Sequence, residues 1–192
     1  MTLNEHFEAL YAADEDPWTV RAAWYERRKR AVLLASLGKE HYRQVFEPGC
    51  GNGEMSAALA ARCERLLACD GSASAVAAAR RRLQDAAPAA VRIERRSLPA
   101  HWPEDDGYDL VVISELAYYL DEAVLADLLA RAHAMLGAGG ELALCHYLHD
   151  FGDRVTATVR AHALAAALPG MRRSVHHLDQ DFLLEIWQRN TP

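Results

Sequence analysis

A glycine-rich turn next to an acidic residue is the first feature of this sequence that could bind a ligand. Residues 45–54 read VFEPGCGNGE, so Glu47 and three glycines directly follow a short apolar run. Glycine has no Cβ atom and allows a ligand to approach the backbone closely. Such a turn after a strand is typical of nucleotide sites, although a purely structural tight turn is the alternative.

Spacing and charge separate the ligands that this turn could hold. A phosphate-binding loop needs a lysine after its last glycine, and the dinucleotide pattern G-x-G-x-x-G places its third glycine one residue later than Gly53. Glu47, at the expected carboxyl end of the strand, would repel a diphosphate. S-adenosylmethionine fits better, because it has no phosphate and its ammonium group can interact with Glu47 directly or through water.

A second carboxylate lies where such a ligand would need it. Asp70 closes the next apolar run, RLLACD at 65–70, and an acid at this strand end can accept hydrogen bonds from both ribose hydroxyls. The order of strand, glycine turn, helix, strand and acid predicts an S-adenosylmethionine site. Together with adjoining positions, its predicted residues are Glu47, Gly49, Cys50, Gly51, Gly53, Asp70 and Gly71.

Short apolar runs alternate with helical patterns from about residue 43 onwards. The run at 91–97 alternates apolar and polar residues and is typical of an edge strand, whereas YDLVVIS at 108–114 is continuous and indicates a central strand. The other predicted strands are 43–47, 65–70, 141–147, 172–178 and 182–189. One predicted helix follows the glycine turn and ends near residue 62, and the later helices span 72–86, 121–140 and 154–168. The alternation predicts one α/β domain, residues 1–192, whose parallel sheet is covered by helices on both faces.

Residues 1–40 precede the predicted core of 43–192 and indicate two helices, interrupted at DEDPW, with Pro17 suited to a first helical turn. We expect a helical cap on the sheet, or one that closes over the ligand. In the functional hypothesis, which the family resemblance given below motivates, Arg28 pairs with the cofactor carboxylate while Trp18, Trp24 and Tyr25 shield the methyl group. In the alternative, the aromatic rings hold the helices on the sheet and Arg28 faces water.

Composition argues against several classes of partner. The formal net charge of −6 does not favour a nucleic acid or an anionic membrane surface. The four cysteines show no paired spacing, and no secretory signal is apparent, so thiols in the cytoplasm are expected. His146 and His149 are spaced H-x-x-H, but on a strand or loop this spacing carries little information, and we expect no metal.

Two motifs resemble a known family. EPGCGNG, followed by CD at 69–70, resembles the class I S-adenosylmethionine-dependent methyltransferases, as does YDLVVISELAYYL. The segment DPW…WYERRK at 16–29, with SELAYYL, resembles the nodulation protein S family of N-methyltransferases. The resemblance implies a Rossmann-like, seven-stranded, mostly parallel sheet with an antiparallel last strand. It also implies adenine contacts at Ser97 and Leu98, which in the alternative only form a polar turn before Pro99. Ser114 completes the predicted cofactor set.

Methyl transfer is an in-line displacement, and an amine acceptor must be neutral when it attacks. Glu115, just past the central strand, is the first candidate to hold the amine or accept its proton, unless it only begins a helix. Of the two tyrosines that follow, Tyr119 is included in the predicted catalytic set. His146 is a possible base, expected at the same sheet edge as Glu47 and Glu115, or else a hydrogen-bonded structural histidine.

We therefore predict a methyltransferase that converts S-adenosylmethionine to S-adenosylhomocysteine. The predicted acceptor is an amine of a small molecule or of an amino sugar, because the resemblance implies a deacetylated oligosaccharide as the acceptor class. An O-methyltransferase for a small metabolite and a non-catalytic S-adenosylmethionine-binding module are the alternatives. No nucleic-acid or membrane partner is expected, and the sequence does not indicate an oligomeric state.

Overall fold

The computed structural model describes residues 2–84 and 90–191. The chain groups into two compact units, residues 1–101 and 102–192, which are described in turn. The sequence-based division into a single domain stays a prediction.

The first unit is built from four helices and three parallel strands. Its elements are α1 (Leu3–Ala13), α2 (Trp24–Ser36), β1 (Tyr42–Pro48), α3 (Glu54–Ala60), β2 (Cys63–Asp70), α4 (Ala73–Leu83) and β3 (Ala90–Arg95). The strand order is β3-β2-β1, with β3 at the edge as its alternating pattern predicts. The last two residues of the helix predicted over 72–86, residues 85 and 86, lie outside the described residues.

The second unit is built from four strands, two helices and a short 3-10 turn. Its elements are β4 (Tyr108–Ser114), the 3-10 turn (Ala117–Tyr119), α5 (Glu122–Met135), β5 (Leu136–Tyr147), α6 (Thr158–Ala166), β6 (Met171–Leu178) and β7 (Phe182–Arg189). The strand order is β4-β5-β7-β6, in which β4 and β5 are parallel and β7 is antiparallel to both neighbours. The continuous apolar pattern of β4 is explained by burial, because residues 110–113 are fully inaccessible to solvent.

The seven strands form the mostly parallel sheet with an antiparallel last strand that the resemblance implies. The α/β, Rossmann-like prediction is therefore confirmed. Strands end at the residues predicted to bind ligand: β1 leads into the glycine turn, β2 ends at Asp70 and β4 ends at Ser114. Within residues 2–84 and 90–191, no helix has the length and apolar character needed to cross a membrane.

Two predicted helix boundaries are wrong. The helix expected over 121–140 ends at Met135, and residues 136–140 belong to β5. Gly140 explains the difference, because a Cβ atom there would lie 2.9 Å from the Tyr108 carbonyl oxygen of the neighbouring strand. Glycines can therefore signal close strand approach as well as the end of a helix.

The second N-terminal helix begins at Trp24 rather than near Pro17. The Asp16 carboxylate accepts the backbone N–H groups of Val20 and Arg21, at 2.8 and 3.2 Å, and stabilises an irregular turn before the helix. The acidic residue is thus a turn-forming acceptor and not the start of a helix.

Candidate functional site

The glycine turn after β1 has the backbone geometry that its sequence predicts. Gly49, Gly51 and Gly53 have φ angles of 72°, 52° and 83°, a region that L-amino acids with side chains rarely adopt. The N–H groups of Gly49 and Cys50 donate to the Cys69 carbonyl, which fastens the turn to the end of β2. The three glycines therefore hold a tight turn at the carboxyl ends of two adjacent strands, in which Gly49 and Gly51 are half-buried.

Glu47, the acid before the turn, is 3% exposed and accepts a hydrogen bond from the Ser56 hydroxyl. Burial raises the pKa of Glu47 to about 8, with a smaller contribution from the Asp70 charge, although the hydrogen bond from Ser56 opposes the rise. A carboxylate so poorly solvated interacts favourably with a cation and unfavourably with a phosphate. The site therefore fits the ammonium group that the sequence analysis assigns to it.

Asp70 organises the turn through backbone contacts. Its carboxylate oxygens accept the N–H groups of Gly51 and Ser72, at 3.0 and 2.9 Å. Burial raises the pKa of Asp70 despite these hydrogen bonds, and part of its side chain stays accessible. Because a carboxylate offers about four lone-pair positions, Asp70 has acceptor capacity left for ribose hydroxyls.

Glu8 on α1 is a contributor that the sequence analysis missed. Its carboxylate accepts the hydroxyls of Ser72 and Ser74, at 2.8 and 2.7 Å, and the Ser74 N–H at 3.1 Å. These hydrogen bonds lower the pKa of Glu8 to about 2, the one from the Ser74 side chain contributing most. A negative charge at the N-terminus of α4 is also favoured by the helix dipole.

Two further side chains of α1 lie against the predicted cofactor residues. A Cβ atom at Gly51 would collide with the Tyr11 hydroxyl, and one at Gly71 would collide with Asn4. The Asn4 amide also donates to the Ser97 hydroxyl at 2.7 Å. Asn4, Glu8 and Tyr11 follow the i, i+4, i+7 spacing of one helix face, which is the sequence signal that could have found them.

The segment between α1 and α2 also contacts the glycine turn. The Asn52 amide donates to Asp16 Oδ1 at 2.9 Å, which links the DEDPW segment to the turn. Directly after the turn, Glu54 pairs with Arg21 and Arg82 at 3.1 and 2.7 Å. Residues 16–21 are therefore part of the surroundings of the predicted cofactor loop.

The predicted N-terminal contributors have different environments. Trp18 packs against Phe7 and Tyr11 of α1, with ring centroids 6.1 and 5.7 Å apart. Its two alternative roles, shielding the methyl group or holding the helices on the sheet, stay predictions. Trp24 is 69% exposed at the start of α2. Arg28 is half-buried on the same helix, and its pairing with a cofactor carboxylate stays a prediction.

The remaining cofactor predictions lie at strand ends or beside them. Ser97 and Leu98 are half-buried and follow β3, Cys50 is buried in the glycine turn, and Ser114 is the half-buried last residue of β4. Among the described parts of the chain, the four cysteines form no disulfide.

In the second unit, Glu115 has an unusual backbone conformation directly after β4. Its φ angle is 56°, and its N–H donates to the Cys145 carbonyl at 3.0 Å. A left-handed conformation is uncommon for glutamate and often marks a functional position. The Tyr118 hydroxyl donates to Glu115 Oε2, so the carboxylate is held beside an aromatic ring.

Tyr118 packs with two other aromatic rings, and we term the three residues the aromatic cluster: Tyr118, Tyr119 and Phe151. Their ring centroids are 4.8, 4.9 and 5.6 Å apart, and each pair is close to perpendicular. The Arg154 guanidinium lies 5.8 Å from the Tyr118 ring centroid and donates to the carbonyls of residues 147, 148 and 149. The loop after β5 is thereby held against the tyrosines. Phe151 was not predicted, because its loop has no distinctive pattern.

His146 is fully buried on β5, and its Nε2 accepts the Ala117 N–H at 3.1 Å. That nitrogen lone pair is engaged within the protein, which favours the structural alternative over a role as base. The two histidines of the H-x-x-H spacing have different partners, since His146 contacts His162 and His149 contacts Asp181. Their spacing therefore does not bring them to a common ligand.

Comparison with known proteins identifies the family. Residues 45–140, half of the chain, match the model of a methyltransferase domain. Nodulation protein S of Rhizobium tropici is 31% identical over 132 residues, which cover 68% of this chain and 54% of that protein. This chain therefore spans about half the length of that relative.

The fold is also similar to that of solved structures. A candidate methyltransferase from Pseudomonas syringae is 47% identical, with a TM-score of 0.74, over 87% of this chain and all of that one. The N-methyltransferase NodS of Bradyrhizobium japonicum WM9, in complex with S-adenosyl-L-homocysteine, has a TM-score of 0.83 over 97% of both chains. Its identity is 22%, so this likeness shows the fold.

The glycine turn and the acids at the ends of β1 and β2 lie within the residues that match the family model. The predicted methyltransferase family is therefore confirmed, and the similar NodS structure holds S-adenosyl-L-homocysteine, the product expected from the predicted cofactor, S-adenosylmethionine. The chain belongs to the methyltransferase domain family.

Proposed function

We propose that this protein transfers the methyl group of S-adenosylmethionine to an amine nitrogen of an amino-sugar acceptor. The main support is the position of Glu115, whose carboxylate lies in a left-handed turn beside the aromatic cluster. A carboxylate next to aromatic faces suits a cationic amine, since both attract positive charge. A neutral hydroxyl acceptor has no need of either feature.

We assign the cofactor to the first unit. Glu47 holds its ammonium group, Asp70 accepts hydrogen bonds from its ribose hydroxyls, and Ser97 and Leu98 contact its adenine. The backbone of Gly49, Cys50, Gly51 and Gly53, together with Gly71, completes the contacts from this unit, and a contact from Ser114 stays a prediction. Arg28 is assigned to the cofactor carboxylate on the ground of its residue type and position in α2.

The bound cofactor supplies an electrophilic methyl group on a positively charged sulfur. Glu115 attracts the protonated acceptor and accepts its proton, so that the nitrogen lone pair becomes available for attack. The Tyr118 hydroxyl orients this carboxylate, and the ring of Tyr119 faces the acceptor cation. His146 is not retained as the proton acceptor, because its Nε2 already accepts the Ala117 N–H.

An amino-sugar acceptor is favoured over other amines by the relatives. The similar structure from Bradyrhizobium japonicum is an N-methyltransferase, and the similar protein from Rhizobium tropici is a nodulation protein. The family resemblance implies a deacetylated oligosaccharide. The rings of the aromatic cluster are also suitable surfaces for packing against the apolar faces of a sugar.

A direct test compares two oligosaccharides that differ only at nitrogen. Purified protein is incubated with S-adenosylmethionine and either chitotetraose with free amino groups or its fully N-acetylated form, and the methylated product is located by mass spectrometry. We expect methylation of the free amine alone. Methylation of a hydroxyl would favour the O-methyltransferase, and S-adenosylhomocysteine binding without transfer to any amine or hydroxyl of a wider panel would favour the binding module.

Glu115→Gln provides the matched test of the carboxylate. The amide can still accept the Tyr118 hydrogen bond but cannot accept a proton, so kcat should fall by about 100-fold or more. Glu122→Gln, an exposed position that pairs with Arg160, is the control and should keep full activity. Unchanged transfer by Glu115→Gln would contradict the proposed role.

A further inference from the structure

Three buried polar side chains of the second unit form one hydrogen-bonded series that the proposed chemistry leaves unused. His146 on β5, His162 on α6 and Glu185 on β7 are 0%, 2% and 4% exposed. Such polar groups are costly to bury unless every donor and acceptor is satisfied.

The hydrogen bonds determine the position of each imidazole hydrogen. The Ala117 N–H can only donate, so His146 Nε2 must be the acceptor and Nδ1 must carry the hydrogen. His146 Nδ1 then donates to His162 Nε2 at 3.1 Å, and His162 Nδ1 donates to Glu185 Oε2 at 2.9 Å. Both rings are therefore neutral Nδ1–H tautomers. Each ring donates its hydrogen toward the Glu185 carboxylate and accepts a hydrogen bond from the side of the Ala117 N–H.

Glu185 sets the direction in which these hydrogen bonds are donated, because its ionised carboxylate can only accept them. Burial alone would raise the pKa of Glu185, but hydrogen bonds from His162 and His176 and contact with Arg173 lower it to about 2. Burial lowers the pKa of His162, which keeps its ring neutral. The charged or titratable groups around His162 are thus His146 from β5, Glu185 from β7, and Arg173 and His176 from β6, which bond to Glu185.

The other end of the series reaches the turn that carries the proposed acceptor residues. Ala117 begins the 3-10 turn, and the His146 ring lies 5.2 Å from the Tyr118 ring. The Tyr118 carbonyl accepts the N–H groups of Val155 and Thr156, at 2.8 and 3.0 Å. The turn is therefore held by the histidine series on one side and by the loop after β5 on another.

We propose that His162 and Glu185 are positioning residues for methyl transfer. They fix His146 as the tautomer that accepts the Ala117 N–H, and thereby hold Glu115 and Tyr118 in place for the acceptor amine. The inference rests on the proposed function for its effect on catalysis, whereas the tautomer series stands on the structure of the second unit alone.

Glu185→Gln is the most informative variant, because an amide has only one acceptor oxygen. If that oxygen keeps the Arg173 hydrogen bond, the amide NH2 faces His162 and imposes the opposite tautomer on both rings. The hydrogen of His146 would then point at the Ala117 N–H. His146→Gln is the rescue variant, because its amide oxygen can accept the Ala117 N–H without help from His162.

Nitrogen-detected imidazole NMR on 15N-labelled full-length protein tests the series without any acceptor. In the wild type we expect both rings as Nδ1–H tautomers, and in Glu185→Gln a changed His146 tautomer with faster hydrogen exchange at the Ala117 amide. An Nε2–H tautomer of His146 in the wild type would overturn the proposal. Unchanged exchange at Ala117 in the variant would do so as well.

Steady-state kinetics with chitotetraose bearing free amino groups test the consequence for catalysis. We expect the acceptor KM of Glu185→Gln to rise about tenfold with a smaller change in kcat, while S-adenosylhomocysteine affinity is unchanged. In the His146→Gln background the same substitution should have no further effect on KM. The Glu122→Gln variant is the control, because it makes the same Glu-to-Gln change at a surface residue that contacts Arg160 of α6.

The two possible failures are distinguishable. A wild type that methylates no amine contradicts the proposed function, while the NMR measurements still decide whether His162 and Glu185 fix His146. Additive effects of Glu185→Gln and His146→Gln on KM would instead contradict the positioning role while leaving the proposed function intact.

Discussion

Glu8 of α1 accepts the Ser72 hydroxyl at 2.8 Å, although 64 residues separate the two in the chain. Ser72 is itself the N-cap of α4, because its hydroxyl oxygen also accepts the Ala75 N–H at 3.0 Å. Ser72, together with Ser74, therefore joins α1 to the helix that follows Asp70, the proposed ribose ligand. The position of α1 beside the cofactor residues depends on these contacts.

Replacing Glu8 should loosen α1. In Glu8→Ala we expect faster hydrogen exchange over residues 3–13 and weaker S-adenosylhomocysteine binding, because the hydrogen bonds to Ser72 and Ser74 are lost. Hydrogen exchange followed by mass spectrometry, with calorimetric titration of the ligand, measures both. The control is Glu15→Ala, which removes an exposed ion pair with Arg81. Equal exchange rates in the two variants would contradict a special role of Glu8.

The pH dependence of stability should report the burial of Glu47. Its pKa in the folded protein is about 8, above its ordinary value of 4.5. Protonated Glu47 therefore stabilises the folded protein. This contribution to the free energy of unfolding is complete below pH 4.5 and is lost as the pH rises through 8. Relative to Glu47→Gln, the free energy of unfolding of the wild type should fall between pH 5 and pH 8.5, by up to about 4 kcal/mol.

Urea denaturation at several pH values measures this difference. Glu64→Gln is the matched control, since Glu64 is exposed near the start of β2. We expect its stability to follow that of the wild type at every pH. A wild type and a Glu47→Gln variant with parallel pH profiles would show that Glu47 ionises as readily in the folded protein as in water.

The same ionisation should appear in ligand binding. If the ligand ammonium binds the ionised form of Glu47, S-adenosylhomocysteine binding at pH 7 releases a proton, and the affinity rises between pH 6 and pH 8. Calorimetry in buffers of different ionisation enthalpy detects the proton. Glu47→Gln should show neither the release nor the rise, and proton release that persists in this variant would assign the titration to another group.

Some parts of the site could be predicted from the sequence, and others could not, for physical reasons. Glu47 and Asp70 are found because each ends an apolar run, and the ends of parallel strands meet at one sheet edge. Glu8 is not found, because helix periodicity gives a face but not the partner that the face contacts. The tautomer of His146 depends on Glu185, which a different strand supplies.

The proposed ribose contact predicts a graded loss of cofactor affinity. Asp70→Ala should weaken S-adenosylhomocysteine binding about 100-fold, because two charge-assisted hydrogen bonds are lost. Asp70→Asn retains one acceptor oxygen and should bind about tenfold more weakly than the wild type. Circular dichroism at the titration temperature excludes unfolding, which matters because Asp70 also accepts the N–H groups of Gly51 and Ser72. Equal affinity of wild type and Asp70→Asn would argue that the ribose is bound elsewhere.

Two substitutions in the aromatic cluster should distinguish the role of the Tyr119 ring from the role of its hydroxyl. This residue is half-buried, its ring centroid lies 5.6 Å from that of Phe151, and in the proposed function its ring faces the acceptor cation. Tyr119→Ala should raise the KM for chitotetraose with free amino groups about tenfold, because the cation–π attraction is removed. Tyr119→Phe keeps the ring and should remain within about twofold of the wild type. A loss of kcat in Tyr119→Phe would instead assign the hydroxyl to proton transfer, and it would place Tyr119 beside Glu115 in the reaction itself.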